Sequence, residues 1–377
     1  MKIAVCIFTA QEFSSINDYC GGEYRYLMQI AKALNEMNHE VTVILESERE
    51  EFIDEGVRFI KYPRTIHSQH KNIGNGWDNS MDMFGCEPLA ENDIINFDIF
   101  FAQKSDYMIS HIFRQNAKNV IFCLGNPSDF DFDKSDCILT YDPVVSYSCL
   151  GNKLNTEVIY PYVQDIDDYT KKQNKDILIS ASTELYPYIA FDINYEIFIR
   201  AKKEISSLIY KHYYVPNWID VQINQDPNEE VIEYFRKYDI LNKLKNPVSG
   251  FEPTEFKNYR EYQIDLVNSG FYLHGRGDIK ALAGNEAMFH GVCLINPKKP
   301  HMTAADFAIN IDFDYNKEEE REVAISFATS QLIDLYQNAN LYEHTVKMQM
   351  SQTKPFRTES YFKLKLEKLV NELGFDS

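Results

Sequence analysis

The segment KIAVCIFTA (residues 2–10) is a short, unbroken apolar run, the pattern of a strand buried on both faces. A polar loop follows. Gly21 and Gly22 then open a stretch in which Leu27, Ile30, Ala31 and Leu34 recur at i, i+3, i+4 and i+7, which predicts a helix with one apolar face. Asn38 closes that helix, and NHEVTVIL (38–45) starts a second strand. Strand, glycine loop, helix and strand in this order make a right-handed βαβ unit and call for a parallel sheet.

The alternation continues. FDIFFAQ (97–103), NVIFCL (119–124), DCILTY (136–141) and TEVIYP (156–161) read as further strands. Between Pro63 and Asp93 the chain is polar, rich in Gly and Asn, and too long for an ordinary connector; a functional lid and an insertion both fit. A domain boundary is expected at QDIDDYTKKQNKD (164–176), which is charged and poor in apolar residues. A second alternation begins at ILISAS (177–182). In it EIFIRAKKEISSLIY (196–210) and NEEVIEYFRKYDIL (228–241) read as helices, and HYYVPN (212–217), GFYLHG (270–275) and GVCLINP (291–297) as strands. The tail TESYFKLKLEKLVNEL (358–373) has Thr358 as N-cap and Phe362, Leu366, Leu369 and Val370 on one helical face. No internal repeat is visible.

Composition narrows the class. A chain of 377 residues exceeds one ordinary core, and 44% hydrophobic residues with 25 Phe and 25 Tyr indicate well-packed α/β domains. The net charge of −19 opposes nucleic acid and anionic membranes at long range. Seven scattered cysteines without CxxC spacing read as reduced thiols of a cytoplasmic protein. The start MKIAVCIFTAQEF has no small-x-small cleavage site, and no run approaches a transmembrane span, so a soluble intracellular chain is expected. No His or Cys cluster has metal-ligand spacing, and a strict G-x-G-x-x-G is absent, so neither a metal nor a nicotinamide cofactor is expected.

The most informative stretch is GDIKALAGNEAMFHGVCLINP (277–297). Asp278, seven residues, and Glu286 place two carboxylates at opposite ends of roughly two helical turns, ahead of a His290-Gly291 turn and an apolar strand. This stretch resembles the donor-site signature of GT-B glycosyltransferases of the retaining, paired-acid kind. GGEYRYLMQIAKALNEMNHEVTVI (21–44) is similar to their amino-terminal signature, and EVIYPYVQDIDDY (157–169) to the segment that closes their first domain. The three landmarks stand in the family's order.

The resemblance implies two Rossmann-like domains whose parallel sheets face a central cleft. Residues 1–165 would hold the acceptor, 166–356 the nucleotide-sugar donor, and a helix over 357–377 would pack back on the first domain. It further implies that Glu286 accepts hydrogen bonds from the ribose hydroxyls and that Asp278 contacts the donor sugar. Gly277 and the backbone amides of Ile279, Lys280 and Ala281 would receive the diphosphate, with Gly21 and Gly22 approaching the ligand from the first domain. The chain departs from the family in having Ile279 and Lys280 where glycines are common. SASTELYPYIAF (180–191) also lacks the usual Arg and Lys for the departing diphosphate, for which Arg276, Lys280 or Lys298-Lys299 would substitute. In FCLGNPSDFDFD (122–133) the family's His is absent; Asp129 as base would mean inversion, whereas the paired acids imply retention. The expected activity is sugar transfer from a nucleotide-sugar substrate to an acceptor hydroxyl. Two alternatives remain open: a phage-type glycosyltransferase acting on modified DNA bases, and a nucleotide-sugar-binding protein without catalysis.

Overall fold

The computed structural model describes residues 1–7, 22–46, 51–62, 97–103, 117–122, 135–141, 155–164, 166, 173–182, 191–220, 223–224, 227, 229–256, 259–274, 282–296, 309–310 and 317–375. Elements are numbered through these residues. The chain divides into two compact units, Met1–Tyr162 with Glu359–Ser377, and Val163–Thr358.

The first unit is built on an eight-stranded sheet. Its strands are β1 (Lys2–Ile7), β2 (Glu40–Glu46), β3 (Phe52–Asp54), β4 (Val57–Tyr62), β5 (Ile99–Gln103), β6 (Lys118–Phe122), β7 (Cys137–Thr140) and β8 (Thr156–Val158). They lie in the order β3-β4-β2-β1-β5-β6-β7-β8, parallel throughout except for β3 against β4. Central β1 is buried from Ile3 to Ile7, which is why its sequence is continuous rather than alternating. The β3–β4 hairpin turns through Glu55 and Gly56, both at positive φ (46° and 84°), the backbone of a type I′ turn.

Helix α1 (Gly22–Glu36) buries Tyr26, Leu27, Ile30, Ala31 and Leu34 completely. It ends in a Schellman motif: the N–H of Asn38, at φ 63°, bonds to the Asn35 carbonyl, and that of His39 to Leu34. Tyr26 Oη and Gln29 Nε2 donate to the carbonyls of Ile159 and Tyr162, both at 2.8 Å. The C-terminal helix Glu359–Phe375 joins this unit, Phe362 meeting Tyr26 and Tyr162 edge-on while Lys363 pairs with Glu36 at 2.5 Å.

The second unit carries a wholly parallel six-stranded sheet, ordered β11-β10-β9-β12-β13-β14. In chain order it runs β9 (Asn174–Ser182), α2 (Phe191–Glu204), β10 (Ile209–Tyr214), α3 (Pro216–Asp220), α4 (Glu229–Lys237), α5 (Ile240–Lys245) and β11 (Phe251–Glu255). There follow α6 (Tyr259–Asn268), β12 (Ser269–Leu273), α7 (Leu282–Phe289), β13 (Cys293–Asn296), β14 (Ile309–Asn310), α8 (Glu318–Gln337) and α9 (Ala339–Thr353). Alternate strand residues feed two cores. Leu178, Tyr210, Phe271 and Ile295 pack with α2 and α8, whereas Ile179, Tyr213, Tyr272 and Leu294 pack with α6 and α7. A Cβ on Gly270, beside a register shift in β12, would lie 2.5 Å from the Lys175 Cα, so only glycine fits there.

Three local expectations change. The helix read through Tyr210 stops at Glu204, because Lys202 Nζ binds the Ser206 and Leu208 carbonyls and turns the chain into β10. The strand read over 212–217 starts earlier and ends at Tyr214; Pro216 begins α3, where its fixed φ and missing N–H suit a first helical position. The helix read over 228–241 is broken at Asp239, which sits in the left-handed region at φ 53°.

Candidate functional site

Glu286 lies in the middle of α7 and is only 3% exposed. The helix ends in a second Schellman motif, with Gly291 N–H on the Met288 carbonyl and Val292 N–H on Ala287. Gly291 takes φ 71°, so the His290-Gly291 turn seen in the sequence is what swings the chain from α7 into β13. Ala287 and Met288 are fully buried against β12 and β13, which fixes the roll of the helix and so the direction of the neighbouring carboxylate.

That carboxylate accepts a short hydrogen bond from Tyr259 Oη. Tyr259 opens α6 just beyond the carboxyl end of β11, so the pair marks the carboxyl edge of the sheet. Ala181 near the end of β9, Phe256 after β11, Tyr259, and Ala283 on α7 are the partly buried side chains bordering this core. In open α/β sheets ligands bind at this edge. Burial pushes the Tyr272 phenol well above its ordinary pKa and the Glu286 charge adds to the effect; its oxygen accepts from Ala181 N–H at 3.3 Å. Among the described residues the neighbourhood is largely aromatic and apolar, with Asn285 and His274 as further buried polar residues at α7. A carboxylate so placed accepts hydrogen bonds from a diol and cannot donate them.

Of the residues expected at the site, Glu286 and Gly22 fall within the described chain, Gly22 as the first residue of α1. Gly21, Asp129, Arg276, Gly277, Asp278, Ile279, Lys280 and Ala281 lie outside the described residues. Tyr259 was not expected at the site. The one signal for it is the Tyr259/Tyr262 pair at i, i+3 opening a helix after a strand, a spacing that also marks a core-facing stripe.

Two other sets of potentially reactive groups among the described residues of the second unit are sealed. Ser180 Oγ lies 2.7 Å from both His212 Nδ1 and Tyr210 Oη, yet all three residues are buried. Burial depresses the His212 pKa to about 3, so the ring is neutral and structural. The Cys293 thiol is pushed up to about 12 by the same cause and is inert. Among the described residues no three His, Cys, Asp or Glu side chains converge on a point that could hold a metal ion, and no helix is long and apolar enough to cross a membrane.

No protein-family model and no curated protein sequence matches the chain. Solved structures do. The trehalose-6-phosphate synthase OtsA superposes with a TM-score of 0.65 at 11% identity, covering 99% of each chain. A point mutant of S. aureus TarM, solved with fondaparinux, α-GlcNAc-glycerol and UDP, gives 0.60 at 9% identity, again over 99% of each chain. The pneumococcal O-GlcNAc transferase GtfA, solved with UDP and GlcNAc, gives 0.50 at 14% identity over 73% of this chain, which spans 57% of that protein. Two sheets, one wholly parallel and one parallel but for its β3 edge, two units and near full-length superposition on OtsA and TarM agree: this chain has the GT-B fold.

Proposed function

We propose that the protein is a glycosyltransferase that moves a sugar from a nucleotide-activated donor to an acceptor hydroxyl. The observation that carries this reading is Glu286: a buried acid held by Tyr259 at the carboxyl edge of the second unit's sheet, in a fold shared with proteins solved with UDP. Buried acids are kept where they accept strong hydrogen bonds, and a nucleotide's ribose cis-diol supplies two. The second unit is then the donor unit, and the first, with Gly21, Gly22 and the 63–93 segment, takes the acceptor.

Asp278 is assigned to the donor sugar's hydroxyls, and the backbone of Gly277, Ile279, Lys280 and Ala281 to the diphosphate, where N–H groups at a helix start favour anions. Arg276 and Lys280 supply the cation that stabilises the leaving group. Asp129 is the candidate base if the anomeric configuration inverts; its absence from the chemistry would accompany retention. Nucleotide sugar and acceptor are both substrates, and the mechanism proposed uses no metal or further cofactor. A cytoplasmic site of action fits the buried free thiols of Cys6, Cys137 and Cys293. The net charge of −19 disfavours DNA as acceptor. A second reading, a binding protein without turnover, is favoured by one observation: 180–191 contains no Arg or Lys.

The test is a thermal-shift screen of UDP-, GDP-, ADP- and dTDP-sugars, followed by nucleotide release with the stabilising donor. A donor at about 100 Kd stabilises the folded chain by about 2.7 kcal/mol. Glu286→Ala is expected to remove both the shift and the release. Wild-type protein that is stabilised but never releases nucleotide with any acceptor means a binding protein. A Glu286→Ala variant as active as wild type overturns the assignment.

A further inference from the structure

We infer that Tyr259 is a positioning residue for the donor's ribose: its hydroxyl holds the Glu286 carboxylate in the orientation in which the acid meets the 2′- and 3′-hydroxyls. The inference rests on the donor-site reading above and adds to it the part that sets the geometry.

Three observations support it. Tyr259 Oη donates to Glu286 across 27 residues of sequence and from a different helix, so the bond ties α6 to α7 at the sheet edge. A glutamate side chain has three rotatable bonds, and a fixed donor on one oxygen removes much of that freedom before any ligand arrives. A carboxylate has about four acceptor positions, and the tyrosine takes one, so the bond orients the acid without consuming it.

The donor itself is anchored. The Tyr259 ring packs on Tyr262, with centroids 6.1 Å apart. Tyr262 in turn lies 5.3 Å from Tyr213 and 5.7 Å from Phe256. Tyr213 Oη donates to Asp265 at 2.6 Å, and Lys211 Nζ binds the same carboxylate at 2.8 Å. A chain of contacts therefore runs from a charged pair on β10 and α6 to the acid on α7, which is how a rigid supporting shell is made. A phenylalanine at 259 keeps the ring packing on Tyr262 and loses the hydrogen bond to Glu286.

The experiment measures binding of UDP, ADP and GDP, each beside its 2′-deoxy counterpart, to wild type and Tyr259→Phe, with melting temperature as the control for folding. Wild type is expected to bind at least one nucleotide and to prefer the ribose form. Tyr259→Phe is expected to melt close to wild type, to bind that nucleotide about tenfold or more weakly, as loss of a hydrogen bond to a charged group implies, and to lose most of the preference for ribose. A ribose preference unchanged in Tyr259→Phe overturns the positioning role and leaves the donor site standing. Wild-type protein that binds none of the nucleotides, or binds without regard to the 2′-hydroxyl, overturns the donor-site reading itself.

Discussion

The Gln349 side chain holds both backbone groups of Leu294: its Oε1 accepts from the Leu294 N–H at 2.9 Å, and its Nε2 donates to the Leu294 carbonyl at 3.0 Å. Among the described residues β14 pairs with β13 at Ile295 and Asn296, and α9 supplies with one amide a partner for both backbone groups of Leu294 next to that pairing. Gln349 is fully buried, and the apolar sheet edge beneath it is closed to water. Gln349→Leu leaves a buried N–H and a buried C=O unsatisfied and is expected to cost about 2–5 kcal/mol. Urea unfolding checks this as a lower midpoint with an unchanged m-value.

His212 makes stability depend on pH. Its Nε2 has no hydrogen-bond partner among the described residues, and burial lowers its pKa from 6.5 to about 3. Between these values the unfolded chain binds the proton and the folded chain does not, so stability falls as pH drops below about 6.5, by at most about 1.4 kcal/mol per unit from this group. A His212→Gln variant is expected to flatten the fall between pH 6 and pH 4 in chemical denaturation, whatever it does to stability at pH 8.

Asp192 and Arg321 form an ion pair inside the second unit, at 3% and 6% exposure. Tyr234 Oη donates to the same carboxylate at 2.5 Å. Removing Arg321 strands a buried carboxylate, and removing Asp192 leaves Arg321 with the exposed Glu318 at 3.4 Å as its ion-pair partner. Asp192→Leu and Arg321→Met are each expected to cost about 3–5 kcal/mol, whereas the two combined recover much of the loss. The double-mutant cycle in denaturant measures the coupling.

What was legible in the sequence follows burial. β1, β5, β6, β7 and β13 stand inside parallel sheets, covered on both faces, and their continuous apolar runs mark them plainly. α1 shows as a stripe because Leu27, Ile30, Ala31 and Leu34 recur at helical spacing, although the structure buries every residue from Arg25 to Ala31, polar Arg25 and Gln29 included. β11, at a sheet edge, reads FEPTE; it mixes exposed acids with Pro253 and gives no strand pattern. The β3–β4 hairpin turns on Glu55-Gly56, which lacks the usual Asn or Asp signal. Glu286 stood out in the sequence by its spacing to Asp278 and the turn after it, and the structure buries it in α7. Tyr259 did not, because its hydrogen bond to Glu286 is a contact between two helices that no local pattern encodes.

The assignment of Glu359–Ser377 to the same unit as Met1–Tyr162 bears on synthesis. Residues 163–358 leave the ribosome as one uninterrupted run and can complete their core during translation. The earlier-made unit has to wait, with Tyr26 and Tyr162 lacking the edge-on packing of Phe362 until the last helix emerges. Premature termination near residue 358 would therefore strand the part of the polypeptide that was translated first.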